Sequence, residues 1–233
     1  MKLFKKSSTM SRIPTISLAP DLHISRILTG LWQIADLERD GQQLNLDATA
    51  DAMQPYLDAG LTTFDMADHY GSAELISGRF RQKIAPKQVQ LLTKWVPEPG
   101  QSSKAKVRQA VQRALDRLQM KQLDLLQYHA WKHADARYLD DLFWLQELQE
   151  EGLIRHLGLT NFDAAHLNLV LQSGITVVSN QISYSLIDQR ARGAMTQVCR
   201  EHGVKILAFG TLAGGLLSER WLDQPDQPAD QMA

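Results

Sequence analysis

The sequence predicts an α/β fold, a (β/α)8 TIM barrel of which about seven strands are present and the last βα unit is absent. Three observations predict it. Short, nearly continuous apolar runs recur along the chain, as expected of strands buried on both faces of a parallel sheet. Amphipathic segments of helical period lie between them. Glycine stands just before a strand at Gly60, Gly152, Gly174 and Gly203, where it accepts the left-handed conformation that closes a helix.

The expected strands, in order, are RILTGLW (26–32), LTTFDM (61–66), VQLLTKW (89–95), LDLLQYH (123–129), IRHLGLTN (154–161), ITVVSNQI (175–182) and VKILAFG (204–210). Pro55 lies in the first helical segment and is expected to kink or shorten it. The clearest helix is SSKAKVRQAVQRALDRLQM, where Val107, Ala110, Val111, Ala114, Leu115 and Leu118 form one stripe and Ser102 or Ser103 can cap the start. Leu142, Leu145 and Leu148 make the stripe of the next helix. Repeated strand–helix units imply right-handed crossovers. An open doubly wound sheet is the competing architecture, but no G-x-G-x-x-G follows the first strand. The division expected is an N-terminal arm over 1–21, the barrel over 22–218 and an irregular tail over 219–233. A barrel needs an eighth strand to close, so the first and seventh strands are expected to keep unpaired edges.

Composition narrows the partners. The chain of 233 residues is 44% hydrophobic, enough for a sizeable core, and its 25 Lys+Arg against 26 Asp+Glu give a net charge of −1. That balance provides no basic field for nucleic acid. No apolar run approaches the roughly 18 residues that cross a bilayer, and MKLFKKSSTMSRIP lacks the apolar core of a signal peptide. The single cysteine, Cys199, cannot form an internal disulfide, and core packing is its expected role. A cytoplasmic protein acting on a small molecule is the expectation, with no nucleic-acid or membrane partner.

In a barrel of this kind, strand C-termini form the active-site face. The polar residues there are Asp65, with Tyr70 just beyond it, then Lys94, His129, Asn161, and Asn180 with Gln181; Phe209 ends the seventh strand. Each has an ordinary reading taken singly: a turn cap, a solvated strand end, a core histidine. Their occurrence at successive strand ends favours a shared mouth. There Lys94 would lower the pKa of the Tyr70 phenol, Asp65 would hold the lysine and His129 would orient a carbonyl oxygen. The set would protonate the oxygen of an aldehyde or ketone as a hydride reaches its carbon. Asp68 is expected to cap the following helix and His69 to have no chemical role. His129 and His133 are four apart, but no H-E-x-x-H or Cys-x-x-Cys accompanies them, and no metal site is expected.

TTFDMADHYG, the lysine of LLTKW, the histidine of LLQYHAW, GLTNF and VVSNQISYSLID together resemble the aldo-keto reductase superfamily, in its order and approximate spacing, from about residue 22 to 218. The resemblance implies a (β/α)8 barrel that reduces carbonyls with NADPH, with NADH as the other cofactor open to it. It maps the family's catalytic tetrad onto Asp65, Tyr70, Lys94 and His129. The nicotinamide carboxamide ligands would be Thr160, Asn161 and Gln181, with Phe209 stacking on the ring. Leu212 and Gly214 would lie near the pyrophosphate, and Gly30 would flank the nicotinamide. Trp32 and Trp95 would line the substrate pocket. By the same resemblance, the segment that holds the adenosine 2′-phosphate in the family is expected to be missing. A catalytically incompetent fragment or regulatory subunit is therefore the alternative. An aldolase using Lys94 as a Schiff base is a third reading, and it leaves Tyr70, Asn161 and Gln181 unexplained.

Overall fold

The computed structural model of the chain describes residues 13–85, 87–98, 100 and 102–222; most of the expected N-terminal arm and tail lies outside them. A curled, seven-stranded parallel sheet forms the centre. Its strands are β3 (Thr29–Gly30), β4 (Thr63–Asp65), β5 (Gln90–Trp95), β6 (Leu123–His129), β7 (Ile154–Thr160), β8 (Ser179–Ser183) and β9 (Lys205–Phe209). Every strand pairs with its successor, in the order β3 to β9, so each connection is a short crossover carrying helix. The expected parallel architecture is what the chain adopts, and β3 and β9 are the two edges of the sheet.

The largest departure is at the front. Two strands, β1 (Thr15–Ala19) and β2 (Leu22–Ser25), form an antiparallel hairpin inside what the sequence suggested was an arm. Leu18, Ala19, Leu22 and Ile24 are buried against Leu92, Leu125 and Leu207, the inward residues of three sheet strands. The Ser25 backbone N–H donates to Thr63 Oγ1 at 2.8 Å, and His156 Nε2 lies 2.7 Å from Asp21 Oδ1. Both partners sit near strand starts, so the hairpin plugs the end of the barrel opposite the mouth. The first sheet strand is also shorter than expected. Only Thr29–Gly30 pair with β4, because an edge strand has a ladder on one side alone, and the chain turns into helix at Trp32.

Helices cover the outer face: α1 (Trp32–Arg39), α2 (Leu46–Asp51), α3 (Gln54–Asp58), α4 (Ala73–Gln82), α5 (Lys104–Leu118), α6 (Tyr138–Glu150), α7 (Ala164–Gln172) and α8 (Ala194–Glu201). Pro55 sits in the first turn of α3 and splits the first helical segment in two, as its missing N–H requires. The α5 stripe is buried as its spacing predicts, and Ser103 rather than Ser102 caps it, accepting from Lys106 N. Ser102 instead donates to Asp141. The four turn glycines have φ between 72° and 87°. No helix among the described residues is long and apolar enough to cross a membrane.

Strand alternation sorts the side chains. Pairing sets Asp65 opposite Leu92, Lys94 opposite Gln127, Gln127 opposite Gly158, and His129 opposite Thr160. These inward positions form a leucine layer near the plug, a polar layer above it, and a rim at the mouth. The intervening residues, among them Phe64, Leu91, Trp95, Leu126, Tyr128, Leu157 and Leu159, pack into the helical shell.

Candidate active site

Asp65 ends β4 with its side chain inward, because Phe64 before it belongs to the shell. Lys94 of β5 donates to Asp65 Oδ2 at 2.5 Å and to the Met66 carbonyl at 3.0 Å. The other carboxylate oxygen accepts from Gln127 Nε2 and Gln181 Nε2, both at 2.9 Å, and Gln181 also donates to Gln127 Oε1 at 3.1 Å. Lys94 is only 2% exposed. A buried ion pair of this kind survives because amide donors take up the remaining lone pairs. Sequence reasoning missed Gln127. Its signal was a polar residue inside LDLLQYH, two positions before His129 and so on the same face. Gly158 makes room for it, since a Cβ there would stand 2.6 Å from Ser179 Oγ and 3.2 Å from Gln127 Cγ.

Tyr70 lies in the loop between β4 and α4. That loop is pinned from several sides: Asp68 N donates to the Lys94 carbonyl, Val96 N to Asp68 Oδ2, and Arg117 to the Asp68 carbonyl. Lys94 Nζ lies 5.2 Å from the centroid of the Tyr70 ring, and no hydrogen bond joins the phenol to another described residue. The expected lowering of its pKa is not what the structure gives. Burial, then the charges of Asp65 and Asp68, push the phenol up to about 12. The lysine is spent on Asp65, so its field at the phenol is largely offset by that of its partner.

His129 closes β6. Burial, followed by the neighbouring Lys94 and His69, pulls it down to about 4, so the ring is neutral at physiological pH. Its Nε2 is 3.4 Å from Asn161 Nδ2, while Nδ1 is buried without a partner among the described residues. Asn161 holds its place through a left-handed backbone, φ 63°, and an N–H donated to the Gln181 carbonyl at 2.9 Å.

Around these groups stands an aromatic rim. Trp32 meets Tyr70 edge-on at 4.7 Å, His69 lies 4.9 Å from Tyr70 and 6.1 Å from His129, and Trp131 lies 4.7 Å from His129. Two expectations are corrected here. Trp95, expected in the substrate pocket, alternates with the inward Lys94 and therefore packs on Tyr128 in the helical shell, at 5.7 Å. Trp131 takes the place at the mouth. Asp68 does not cap α4; it pairs with His69 Nδ1 at 3.0 Å and receives Val96 N–H. His69, expected to have no chemical role, lies in the rim beside Tyr70. His133 packs on Phe162 and His166, and Cys199 is buried beside Met195.

Several atoms fit a carboxamide-bearing cofactor. Among the described residues Thr160 Oγ1 is buried with no partner, and the side-chain Oε1 of Gln181 accepts no hydrogen bond. A cleft of about 670 Å³ between the edges β3 and β9 is lined by Gly30, Asp65, Gln181, Leu207, Phe209 and Thr211. Phe209 presents its ring at the end of β9, 41% exposed. Beyond it Leu212 is exposed and Gly214 adopts φ 66°.

Comparison with known proteins identifies the family. The model of the aldo/keto reductase family matches residues 26–232. A chloroplastic pyridoxal reductase of Arabidopsis thaliana is 27% identical over 86% of this chain and 60% of its own length. An NADH-specific methylglyoxal reductase of Escherichia coli is 27% identical over 85% of this chain and 67% of its own. The chain thus spans between three-fifths and two-thirds of these two relatives. Among solved structures, an aldo-keto reductase from Bacillus halodurans in its holo form superposes with a TM-score of 0.76 at 27% identity, covering 93% of this chain and 72% of that one. The chain belongs to the aldo/keto reductase family.

Proposed function

We propose that the chain is an oxidoreductase reducing aldehyde or ketone carbonyls, with Tyr70 as the proton donor and NADPH as the preferred cofactor, NADH being the alternative. The observation that carries the reading is the buried Lys94–Asp65 pair, locked by Gln127 and Gln181 beneath Tyr70 and beside a neutral His129. NADPH, when bound, supplies the hydride. Thr160, Asn161 and Gln181 would hold its carboxamide and Phe209 its ring, with Gly30, Leu212 and Gly214 along its path.

His129 and Tyr70 orient the carbonyl oxygen. Being neutral, His129 can donate one N–H without delivering its own proton. As the carbon gains hydride, the carbonyl π bond breaks and the oxygen takes the Tyr70 proton. An alkoxide is a much stronger base than a phenolate, so this transfer runs downhill even from a phenol near 12. The phenolate left behind lies over the Lys94 ammonium and is reprotonated from water. Trp32, His69 and Trp131 keep the mouth apolar, which strengthens each of these interactions.

Replacing Tyr70 by Phe removes only the hydroxyl. Turnover of 4-nitrobenzaldehyde should fall by about 10²- to 10⁴-fold, the usual contribution of a general acid, while quenching of tryptophan fluorescence by NADPH should be retained. Undiminished turnover would refute the assignment of Tyr70. Saturable NADPH binding without turnover in the unaltered chain would favour a catalytically silent, cofactor-binding barrel. Parallel titrations with NADH decide cofactor preference.

A further inference from the structure

We propose that α1 is a clamp on the proton donor, with Glu38 a positioning residue that fixes the Tyr70 loop from outside the barrel; the catalytic part of this role rests on the carbonyl-reduction reading above. Glu38 lies in the last turn of α1, thirty-four residues from the backbone it holds. Ser72 N–H donates to Glu38 Oε2 at 2.6 Å. Ser72 is the N-cap of α4, yet its own side chain caps nothing, so the carboxylate of a distant helix does so. A negative charge at a helix N-terminus is favoured by the unpaired N–H groups there.

Gly71, between Tyr70 and Ser72, has φ 45°, and a Cβ at that position would overlap the Glu38 carboxylate. The positive φ favours glycine there, and an added Cβ would have to displace the Glu38 carboxylate. The same helix reaches Tyr70 a second way. Trp32, six residues earlier in the same helix, packs edge-on against the phenol ring, and the Arg39 guanidinium covers Trp32 at 4.7 Å. One helix therefore grips the ring of Tyr70 and the backbone two residues beyond it. The upstream side of the loop is held independently through Asp68. Losing Glu38 should free the downstream side and leave Asp65 and Lys94 in place.

The test is Glu38→Ala against Glu38→Gln, whose amide oxygen can still accept from Ser72. In Glu38→Ala, kcat for 4-nitrobenzaldehyde should fall about tenfold, as a small misplacement of a reacting group does, with KM and NADPH binding little changed; Glu38→Gln should restore most of it. The deciding readout is independent of turnover. Phenolate absorbance, taken as the difference between each protein and its Tyr70→Phe counterpart, reports the ionisation of Tyr70 alone. In the unaltered chain Tyr70 should remain un-ionised near pH 10, consistent with its value of about 12. In Glu38→Ala it should ionise nearer the ordinary value of about 10. An unshifted titration overturns the clamp whatever kcat does. A shifted titration in a chain that reduces no aldehyde keeps the clamp and removes the reduction reading. Should Glu38→Ala not fold, Glu38→Asp, whose shorter side chain draws the carboxylate back from Ser72, is read in the same way.

Discussion

Gly158→Ala adds one methyl group beneath the catalytic layer. Its Cβ would stand 2.6 Å from Ser179 Oγ, 3.2 Å from Gln127 Cγ and 3.4 Å from Leu125 Cδ1. The first distance is well inside van der Waals contact, and the other two leave no slack. Ser179 is fully buried, and so is Gln127, whose amide is committed to Asp65. Relief therefore requires the serine hydroxyl to rotate and Gln127 to retreat, lengthening its bond to the carboxylate. Overpacking of this kind costs about 1–3 kcal/mol. For a chain of this length that is a fall in Tm of roughly 2–12 °C, at about 2–4 °C per kcal/mol. Ser179 Oγ has no hydrogen-bond partner among the described residues, so Ser179→Ala alone should be nearly neutral. In the double variant the closest contact disappears, and about 0.5–3 kcal/mol of coupling should return. Thermal unfolding of the four proteins by circular dichroism measures this cycle. A Gly158→Ala chain as stable as its parent, or a double variant no better than Gly158→Ala, would refute the packing argument.

Lys94→Met should destabilise by about 3–5 kcal/mol, because it strands the Asp65 carboxylate in the barrel; Lys94→Met/Asp65→Leu should regain part of that in urea titrations, and equal midpoints for the single and double variants would count against the pair. His129 sets a pH dependence. Its folded value near 4 lies below the ordinary 6.5, so the unfolded chain binds the extra proton between them and stability falls as pH drops through that window. The full effect is about 3 kcal/mol, and His129→Asn should flatten the slope of stability against pH between 6.5 and 4 relative to the unaltered chain. Trp131→Ala should raise KM for aromatic aldehydes more than it lowers kcat, since the indole lies on the outer side of His129 at the mouth; an unchanged KM would remove it from the substrate's path.

The fold was legible because the central strands β4 to β8 are buried on both faces and announce themselves as apolar runs, and because the four turn glycines mark helix ends. The front of the molecule was not. The strands of the β1–β2 hairpin are short, TISLA and LHIS, and bury their apolar residues only against strands far along the chain. At the site, Asp65, Tyr70, Lys94 and His129 converge as their strand-end positions suggested. The same alternation that turns Lys94 inward sends Trp95 outward, and counting by two from His129 would have found Gln127. Glu38, His69 and Trp131 depend on how loops and α1 fold over the mouth, which no local spacing encodes. The direction of the Tyr70 shift was out of reach for a related reason. It depends on burial and on two carboxylates outweighing a lysine already engaged.

The hairpin also imposes an order of events. Its seat is made by Leu92, Leu125 and Leu207, residues separated by more than a hundred positions and all C-terminal to it. During synthesis β1 and β2 leave the ribosome before any of that surface exists. At about 5–20 residues per second the seat is complete roughly 10–40 s after Ala19 is joined. Each sheet strand, by contrast, finds its neighbour as soon as the next βα unit emerges. The hairpin is thus made well before its seat, and until it docks Leu18, Leu22 and Ile24 remain a ready target for a chaperone.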